Sequence, residues 1–203
     1  MNRTESIIGI GGMPRSGKDT LAELFIKSGY FGLSFGDVVR GFSRIRHKDK
    51  PDPISVANMT DTSNWLRTTY GPDVILKEAL KQYKEALKQS DYKGLVLYSV
   101  RAPIEADWIL NHEGQLIWVE ADDQVRYKRA MDHLRQGEAH ISLDEFKKQE
   151  ALQWEPQVDI PVNVQMDLSY IRKHANRTLV NNSDSLDDFL HKAHELIESI
   201  HNP

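Results

Sequence analysis

One glycine-rich stretch near the start of the sequence constrains this chain more than any other feature. From Gly12 to Lys18 it reads Gly-Met-Pro-Arg-Ser-Gly-Lys, which fits the pattern G-x-x-x-x-G-K. The apolar run Ser6–Ile10 before it predicts a β-strand, and Lys18–Ser28 after it has apolar residues at helical spacing. A strand, a glycine turn and a helix in this order predict a loop whose backbone N–H groups surround phosphate oxygens. Without that context the same pattern would be a plain glycine-rich turn.

This loop defines a candidate site for the phosphates of ATP. Lys18 would reach the outer phosphates as a point charge and is therefore a candidate catalytic residue. Asp19 stands where a Ser or Thr usually ligates Mg²⁺. A carboxylate can also ligate Mg²⁺, and Thr20 follows directly, so both residues are candidate metal ligands. The predicted ATP contacts are Gly12, Met13, Pro14, Arg15, Ser16, Gly17, Lys18, Asp19 and Thr20.

Length, charge and the lack of cysteine exclude several classes of protein. The 203 residues suffice for one α/β domain, and we predict a single domain over residues 1–203. With 26 Lys and Arg against 30 Asp and Glu, the net charge is −4, which argues against a protein that binds long nucleic acids. The absence of cysteine excludes disulfides and thiolate metal sites. We find neither a signal peptide nor a membrane-spanning apolar run, and therefore expect a soluble cytoplasmic protein.

Strand-like and helical segments alternate along the chain, which predicts a parallel sheet with helices on both faces. The predicted strands are Ser6–Ile10, Tyr30–Ser34, Gly94–Tyr98, Gln115–Glu120 and Arg177–Asn181. The predicted helices are Lys18–Ser28, Gly36–Arg46, Thr62–Thr69, Pro72–Gln89, Pro103–Asn111, Asp122–Arg135, Ser142–Trp154 and Ser185–Ile200. The fold class is a three-layer α/β/α fold with about five parallel strands. Ligands bind at the carboxyl ends of such strands, so we expect the chemistry in the loops after the first three.

The segment after the second predicted strand reads Ser-Phe-Gly-Asp-Val-Val-Arg, from Ser34 to Arg40. It resembles the Ser-Thr-Gly-Asp-x-x-Arg segment of adenylate kinases and matches it at Ser34, Gly36, Asp37 and Arg40. The resemblance implies that Arg40 grips the phosphate of an acceptor nucleotide, and a guanidinium has the bidentate geometry for that contact. Arg44 lies one turn further on the same helix face and could add a second contact. The alternative is a helix capped by Asp37 with solvated arginines.

The segment after the third predicted strand carries a second resemblance. Val100, Arg101, Pro103, Glu105 and Ala106 match the Asp-Val-Arg-Phe-Pro-Asn-Glu-Ala stretch of deoxynucleoside monophosphate kinases. The resemblance adds Arg101 to the candidate contacts for the acceptor phosphate.

One departure from these families concerns the acid that follows their third strand. They have Asp at the position of Ser99, or of Tyr98 under the other alignment, where the acid helps to hold Mg²⁺ or to orient the acceptor. Neither residue of this chain can do this as an anion. Asp19 flanks the same phosphates, and it is our hypothesis for the missing charge.

Weaker resemblances extend over most of the chain. Leu66–Arg67 and Tyr70–Asp73 are similar to a Leu-Arg segment and a Gly-containing turn of the same enzymes and of archaeal adenylate-kinase-related proteins. Asn181–Asn182 is similar to an Asn-containing turn of dephospho-coenzyme A kinases. These resemblances imply a helical acceptor-binding arm over residues 37–90 and a lid-like helical segment over residues 122–155. The predicted acceptor contacts are Gly36, Asp37, Arg40, Arg44, Arg67 and Arg101.

Three arginines, Arg126, Arg129 and Arg135, follow the fourth predicted strand. Nucleotide kinases, including dephospho-coenzyme A kinases, place the arginines of their lid here. The resemblance implies that Arg129 and Arg135 are catalytic and close over the transferred phosphoryl group. The alternative is a charged helix face, on which Arg126 and Arg129 pair with Asp122 and Asp123.

Together these features predict a nucleotide kinase that transfers a phosphoryl group from ATP to a nucleoside or deoxynucleoside monophosphate, with Mg²⁺ as cofactor. A monophosphate acceptor is ionised at neutral pH and needs no strong general base, so the missing acid favours it over a hydroxyl acceptor. The alternatives are a kinase of another small molecule, such as dephospho-coenzyme A, and a nucleotide-binding sensor with weak or lost catalysis. The net charge disfavours a kinase of nucleic-acid ends. The predicted partners are small nucleotide substrates, and the sequence predicts no oligomeric state.

Overall fold

A parallel sheet forms the centre of the fold in the computed structural model, which describes residues 6–134, 139–154, 161 and 165–201. The strands are β1 (Ser6–Gly12), β2 (Phe31–Ser34), β3 (Gly94–Val100), β4 (Gln115–Glu120) and β5 (Arg177–Val180). All neighbouring strands are parallel, in the order β2-β3-β1-β4-β5. The five parallel strands predicted from the sequence are confirmed.

Helices follow each strand, as the predicted α/β class requires. They are α1 (Lys18–Lys27), α2 (Phe35–Arg46), α3 (Val56–Tyr70), α4 (Val74–Ala86), α5 (Pro103–Asn111), α6 (Asp123–Asp132), α7 (Leu143–Trp154), α8 (Leu168–His174) and α9 (Leu186–His201). Local signals set several of the helix starts. Ser34 caps α2 by accepting a hydrogen bond from the Asp37 N–H at 3.2 Å, and Ser55 caps α3 in the same way.

The core divides into two apolar clusters, one on each face of the sheet. On one face α1 and α9 supply Leu21, Phe25 and Phe189, which pack against Ile8 and Ile10 of the central strand. On the other face the cluster is built from α2 to α5 and α8, together with side chains of β2, β3 and β4. Each fully buried side chain of this size contributes about 1.5–3 kcal/mol relative to an exposed one. The three-layer architecture predicted from the sequence is therefore confirmed.

Two helices differ from the sequence prediction. Helix α8 (Leu168–His174) was not predicted, because seven residues are too few to show a helical period. It is specified by Asp167, whose carboxylate accepts a hydrogen bond from the Tyr170 N–H at 2.8 Å. Helix α3 begins at Val56 rather than at residue 62, because Ser55 caps it one turn and a half earlier than the apolar pattern indicates.

The strand order places a crevice at the carboxyl end of the sheet. The chain leaves β1 towards β2 on one side and leaves β4 towards β5 on the other side, although β1 and β4 are neighbours. Connections that diverge from two adjacent strands open a crevice between them, and ligands of α/β sheets bind there. In the described part of the chain, no helix combines the length and apolar character needed to cross a membrane.

Candidate functional site

The glycine-rich loop joins β1 to α1 in a backbone conformation that needs its glycines. Gly17 has a φ angle of 103°, and Arg15 is also left-handed with a φ angle of 64°. A Cβ atom on Gly17 would lie 2.4 Å from Nδ2 of Asn181. A Cβ atom on Gly12 would lie 2.8 Å from the carbonyl oxygen of Val119. Side chains at either position would therefore collide with β4 or with the turn after β5.

The start of α1 is suited to an anion. Its N-cap residue, Gly17, offers no side chain to the first turn, where backbone N–H groups have no partner within the helix. Lys18 is only 4% exposed and lies at this positive end. The Oγ atom of Ser16 is buried, and no partner for its hydrogen bond lies among the described residues. An uncapped helix end, a buried ammonium and an unpaired hydroxyl fit a phosphate chain, so the predicted ATP contacts are suitably placed for one.

The loop is supported by hydrogen bonds from α6 and from the turn after β5. The Asn181 amide nitrogen donates to the carbonyl oxygen of Ser16 at 2.7 Å. The Arg129 guanidinium donates to the carbonyl oxygen of Arg15 at 3.3 Å and to Oδ1 of Asn181 at 3.1 Å. It also donates to the carbonyl oxygen of Ser183 at 2.8 Å. Arg129 was predicted as a lid residue, and the structure places it in contact with the phosphate loop itself.

The other predicted lid arginines have different environments. Arg135 lies outside the described residues. Arg126 is 3% exposed and is held by Glu150, by Asp123 at 2.6 Å and by the carbonyl oxygen of Ala121 at 2.9 Å. The alternative of pairing with Asp123 is thus correct for Arg126, and Glu150 is an additional partner from α7.

The loop after β2 places Arg40 on the first turns of α2. Its guanidinium pairs with Asp37, and both side chains are partly open to solvent, at 37% and 57% exposure. Ser34, rather than Asp37, caps this helix. The predicted alternative of a capped helix is therefore correct, but the capping residue is a different one. Arg44 is exposed on the same helix. Gly36 faces the third loop, since a Cβ atom there would lie 3.9 Å from the Cβ atom of Ser99.

Tyr98 lies near the end of β3, at one of the two positions where the nucleotide kinases that the sequence resembles have an acid. Burial raises the pKa of Tyr98, the nearby carboxylates of Asp19 and Glu23 raise it further, and Arg40 opposes them. The phenol therefore keeps its proton at neutral pH and is a hydrogen-bond donor. The opposing influences indicate that Asp19 of α1 and Arg40 of α2 both lie within electrostatic range of the Tyr98 hydroxyl.

Arg67 and Glu105 form a buried ion pair beneath the third loop. Their side chains are 3% and 2% exposed, and Nη2 of Arg67 lies 2.8 Å from Oε1 of Glu105. The other oxygen of Glu105 accepts from the N–H groups of Arg101 and Ala102, at 2.9 and 3.1 Å. Arg67 was predicted as an acceptor contact. Its guanidinium instead contacts Glu105 and Ser63 inside the fold, where it holds the loop that carries Arg101.

One carboxylate near the loop was missed by the sequence analysis. Glu120 ends β4, directly after Val119, which pairs in register with Gly12. Its Oε2 accepts from Nε1 of Trp118 at 2.6 Å and from Nε of Arg172 at 3.0 Å. The only sequence signal was its position at the end of an apolar run. Among the described residues there is no cluster of three or more carboxylate or histidine side chains that could hold a metal ion by itself.

Comparison with known proteins agrees with this geometry. No family model matches the chain. A UPF0200 protein of Methanococcus maripaludis is 27% identical over 135 residues, which cover 66% of this chain and 70% of that protein. The structure of TT1252 from Thermus thermophilus matches with a TM-score of 0.59 and 21% identity over 98% of this chain and 97% of that one. Dephospho-CoA kinase from Campylobacter jejuni matches with a TM-score of 0.52 and 17% identity over 96% of each chain. Because such a likeness extends from end to end of both chains, this protein has the P-loop kinase fold.

Proposed function

We propose that the protein is an ATP-dependent phosphotransferase and that its acceptor is a nucleoside or deoxynucleoside monophosphate. The observation that carries the proposal is the placement of Lys18 at the start of α1 and of Arg40 on α2, two helices that follow the two strands on either side of β3. In phosphoryl transfer, a protein contributes mainly by aligning two phosphates and by neutralising the charge between them. Lys18 at the start of α1 and Arg40 on α2 are the two cations that would meet that demand.

The donor end of the site is supplied by the loop and the first turn of α1. Backbone N–H groups between Met13 and Lys18 would hold the outer phosphates of ATP, and the Lys18 ammonium would contact the group being transferred. Mg²⁺ would neutralise part of the charge of the phosphates when bound. Asp19 and Thr20 are the side chains that would hold it, directly or through water.

The acceptor end is supplied by the loops after β2 and β3. Arg40 would exchange its exposed partner Asp37 for the acceptor phosphate, which offers more charge and a bidentate geometry. Gly36 adds no side chain beside Ser34 and Ser99. Arg101 is held at the edge of the same region by Glu105. Tyr98 has a protonated hydroxyl that can donate to a phosphate oxygen. A phosphate acceptor needs no base, so the absence of an acid at this position is compatible with turnover.

A hydroxyl acceptor is the second candidate, and Glu120 is the observation that favours it. Its carboxylate lies at the end of β4 beside the phosphate loop and could take the proton of an attacking hydroxyl. One of the structural neighbours is a dephospho-CoA kinase, which supports keeping that class of small-molecule kinase in the comparison.

A coupled assay for ADP formation separates these proposals. Purified protein with ATP and Mg²⁺ is offered each nucleoside and deoxynucleoside monophosphate, and dephospho-coenzyme A in parallel. We expect turnover with at least one monophosphate. Turnover with dephospho-coenzyme A alone would establish the second candidate. Binding of ATP and a monophosphate without turnover at ample Mg²⁺ would indicate a nucleotide sensor and overturn both.

Replacing Arg40 with alanine should raise the KM for the acceptor about 10- to 100-fold, since a charge-assisted hydrogen bond contributes about 1.5–3 kcal/mol. The KM for ATP should stay near that of the unmodified protein, because Arg40 lies on the acceptor side. Steady-state kinetics with each substrate varied in turn measure both effects. Lys81→Ala, an exposed change on α4, is the control. A rise in the KM for ATP alone would contradict the assignment.

Replacing Asp19 with asparagine should raise the Mg²⁺ concentration needed for half-maximal activity, because a neutral amide is a poorer ligand for a hard cation than a carboxylate. Titration of MgCl₂ at constant free ATP measures the change. Glu23→Gln removes an equally exposed carboxylate one turn further along α1 and should leave the Mg²⁺ requirement unchanged. If both variants behave like the unmodified protein, Asp19 does not replace the missing acid.

A further inference from the structure

A cavity of about 510 Å³ opens beside the phosphate loop, between the end of β4 and helices α6, α7 and α8. Pockets that bind small molecules usually have volumes of about 300–1,000 Å³, so this one can hold part of a nucleotide. Met13 belongs both to the loop and to the cavity wall. The cavity is therefore continuous with the region where phosphates would bind.

Half of the residues that line the cavity are apolar, and two of these are tryptophans. The rings of Trp118 and Trp154 meet edge to face, with centroids 6.1 Å apart and an angle of 70° between their planes. Val119 and Ala151 line the same space. Aromatic side chains of this kind favour flat ring systems, which pack against them in stacked or edge-to-face arrangements.

The charged groups around the cavity balance and pair with one another. Three cationic and three anionic side chains line it. Arg172 lies 3.0 Å from Glu120, Lys147 lies 3.3 Å from Asp123, and Arg126 pairs with Glu150. An anion entering the cavity would have to displace a carboxylate that is already paired with a cation, and the cost of doing so is largest for the buried Arg126–Glu150 pair. An uncharged ring with donors and acceptors at its edge meets no such cost.

The cavity lies on the acceptor side of the sheet. Met13, Trp118 and Trp154 join the same apolar cluster as Val38 and Val39 of α2, the helix that carries Arg40. Neighbouring strands are about 4.8 Å apart, so three strand steps, roughly 14 Å, separate the end of β2 from the end of β4. An extended nucleotide and a long arginine side chain together bridge that distance.

We propose that this cavity receives the nucleobase of the acceptor while its phosphate lies between Lys18 and Arg40, so that the acceptor is selected for an uncharged heterocycle. This inference rests on the proposed function, since it assigns a place to the acceptor of that reaction. It makes the walls of the cavity, rather than the arginines of the loops, the part of the molecule that distinguishes one acceptor from another.

Filling the cavity at Ala151 tests the proposal. Ala151 is exposed on α7 and lines the cavity, so Ala151→Phe adds bulk there without entering the core, and Ala151→Ser is the matched control. Isothermal titration calorimetry is performed with adenosine, guanosine, cytidine, uridine and thymidine monophosphates, and with a non-hydrolysable ATP analogue. We expect the Phe variant to weaken binding of the preferred monophosphate by about tenfold or more, equivalent to about 1.4 kcal/mol. Binding of the ATP analogue should stay the same, and the Ser variant should bind both like the unmodified protein.

Three results would overturn the inference. The first is that the Phe and Ser variants bind the monophosphates with equal affinity, while both variants have the same Tm as the unmodified protein. Another is a loss confined to the ATP analogue, which would place the base of the donor in the cavity. The last is the absence of binding by every monophosphate. Turnover by the unmodified protein is measured separately, so a working kinase with an unaffected Phe variant would reject the cavity assignment and leave the proposed function in place.

Discussion

Replacing Lys18 with alanine should lower kcat by about 100- to 1,000-fold, the loss expected when one preorganised electrostatic contact to a transition state is removed. The ammonium is almost fully buried at the positive end of α1, where low dielectric strengthens its attraction for phosphate oxygens. In the transition state, charge on the transferred group is spread over its equatorial oxygens. The loss of kcat should therefore exceed the loss of affinity for ATP.

Single-turnover and steady-state measurements with ATP and the preferred acceptor test this expectation. Lys18→Met preserves the packing of the aliphatic stem and separates loss of charge from loss of folding. Lys27→Ala, in the last turn of the same helix and exposed, is the control and should leave kcat unchanged. A Lys18→Met protein that folds and turns over at the normal rate would exclude the loop from the chemistry.

Replacing Arg67 with alanine should destabilise the protein by about 3–5 kcal/mol, because it leaves the carboxylate of Glu105 buried without its partner. For a chain of this length that corresponds to a fall in Tm of roughly 2–4 °C for each kcal/mol, or about 10 °C in total. Differential scanning calorimetry and urea unfolding measure the change. Glu105→Gln should also destabilise strongly, since the arginine then loses its counter-ion.

Lys88→Ala is the matched control for Arg67→Ala. Lys88 pairs with Glu85 at 2.7 Å on the surface of the protein, where both side chains are more than half exposed. An exposed pair of this kind contributes about 0–1 kcal/mol, so the Tm of this variant should change little. Equal stability losses in the two variants would contradict the structural role of the Arg67–Glu105 pair.

The sheet and the phosphate loop could be predicted because their signals are local. The glycines at positions 12 and 17, the apolar run before them and the helical pattern after them all lie within one short segment. Strands β3 and β4 contain the uninterrupted apolar runs Leu95–Leu97 and Leu116–Val119, which are typical of a sheet covered on both faces. Helix α8 was missed because its start depends on the capping residue Asp167 and its length hides any period.

The partners of charged side chains could not be predicted, because they depend on the tertiary fold. Glu105 lies 38 residues from Arg67 in the sequence, and Glu150 lies 24 residues from Arg126. Local sequence does not distinguish an arginine that forms a buried ion pair from an arginine that binds a phosphate. The sequence analysis missed Glu120 for the same reason, because Glu120 lies near the phosphate loop only as a result of the pairing of β4 with β1.

The hydrogen bonds that support the phosphate loop join segments that are far apart in the sequence. The hydrogen bond from Asn181 to Ser16 spans 165 residues, and the bond from Arg129 to Arg15 spans 114. Contacts of such long sequence separation form late and slow the folding of a chain. During synthesis, the phosphate loop is therefore made long before the residues that support it, and it gains the support of Arg129 before that of Asn181.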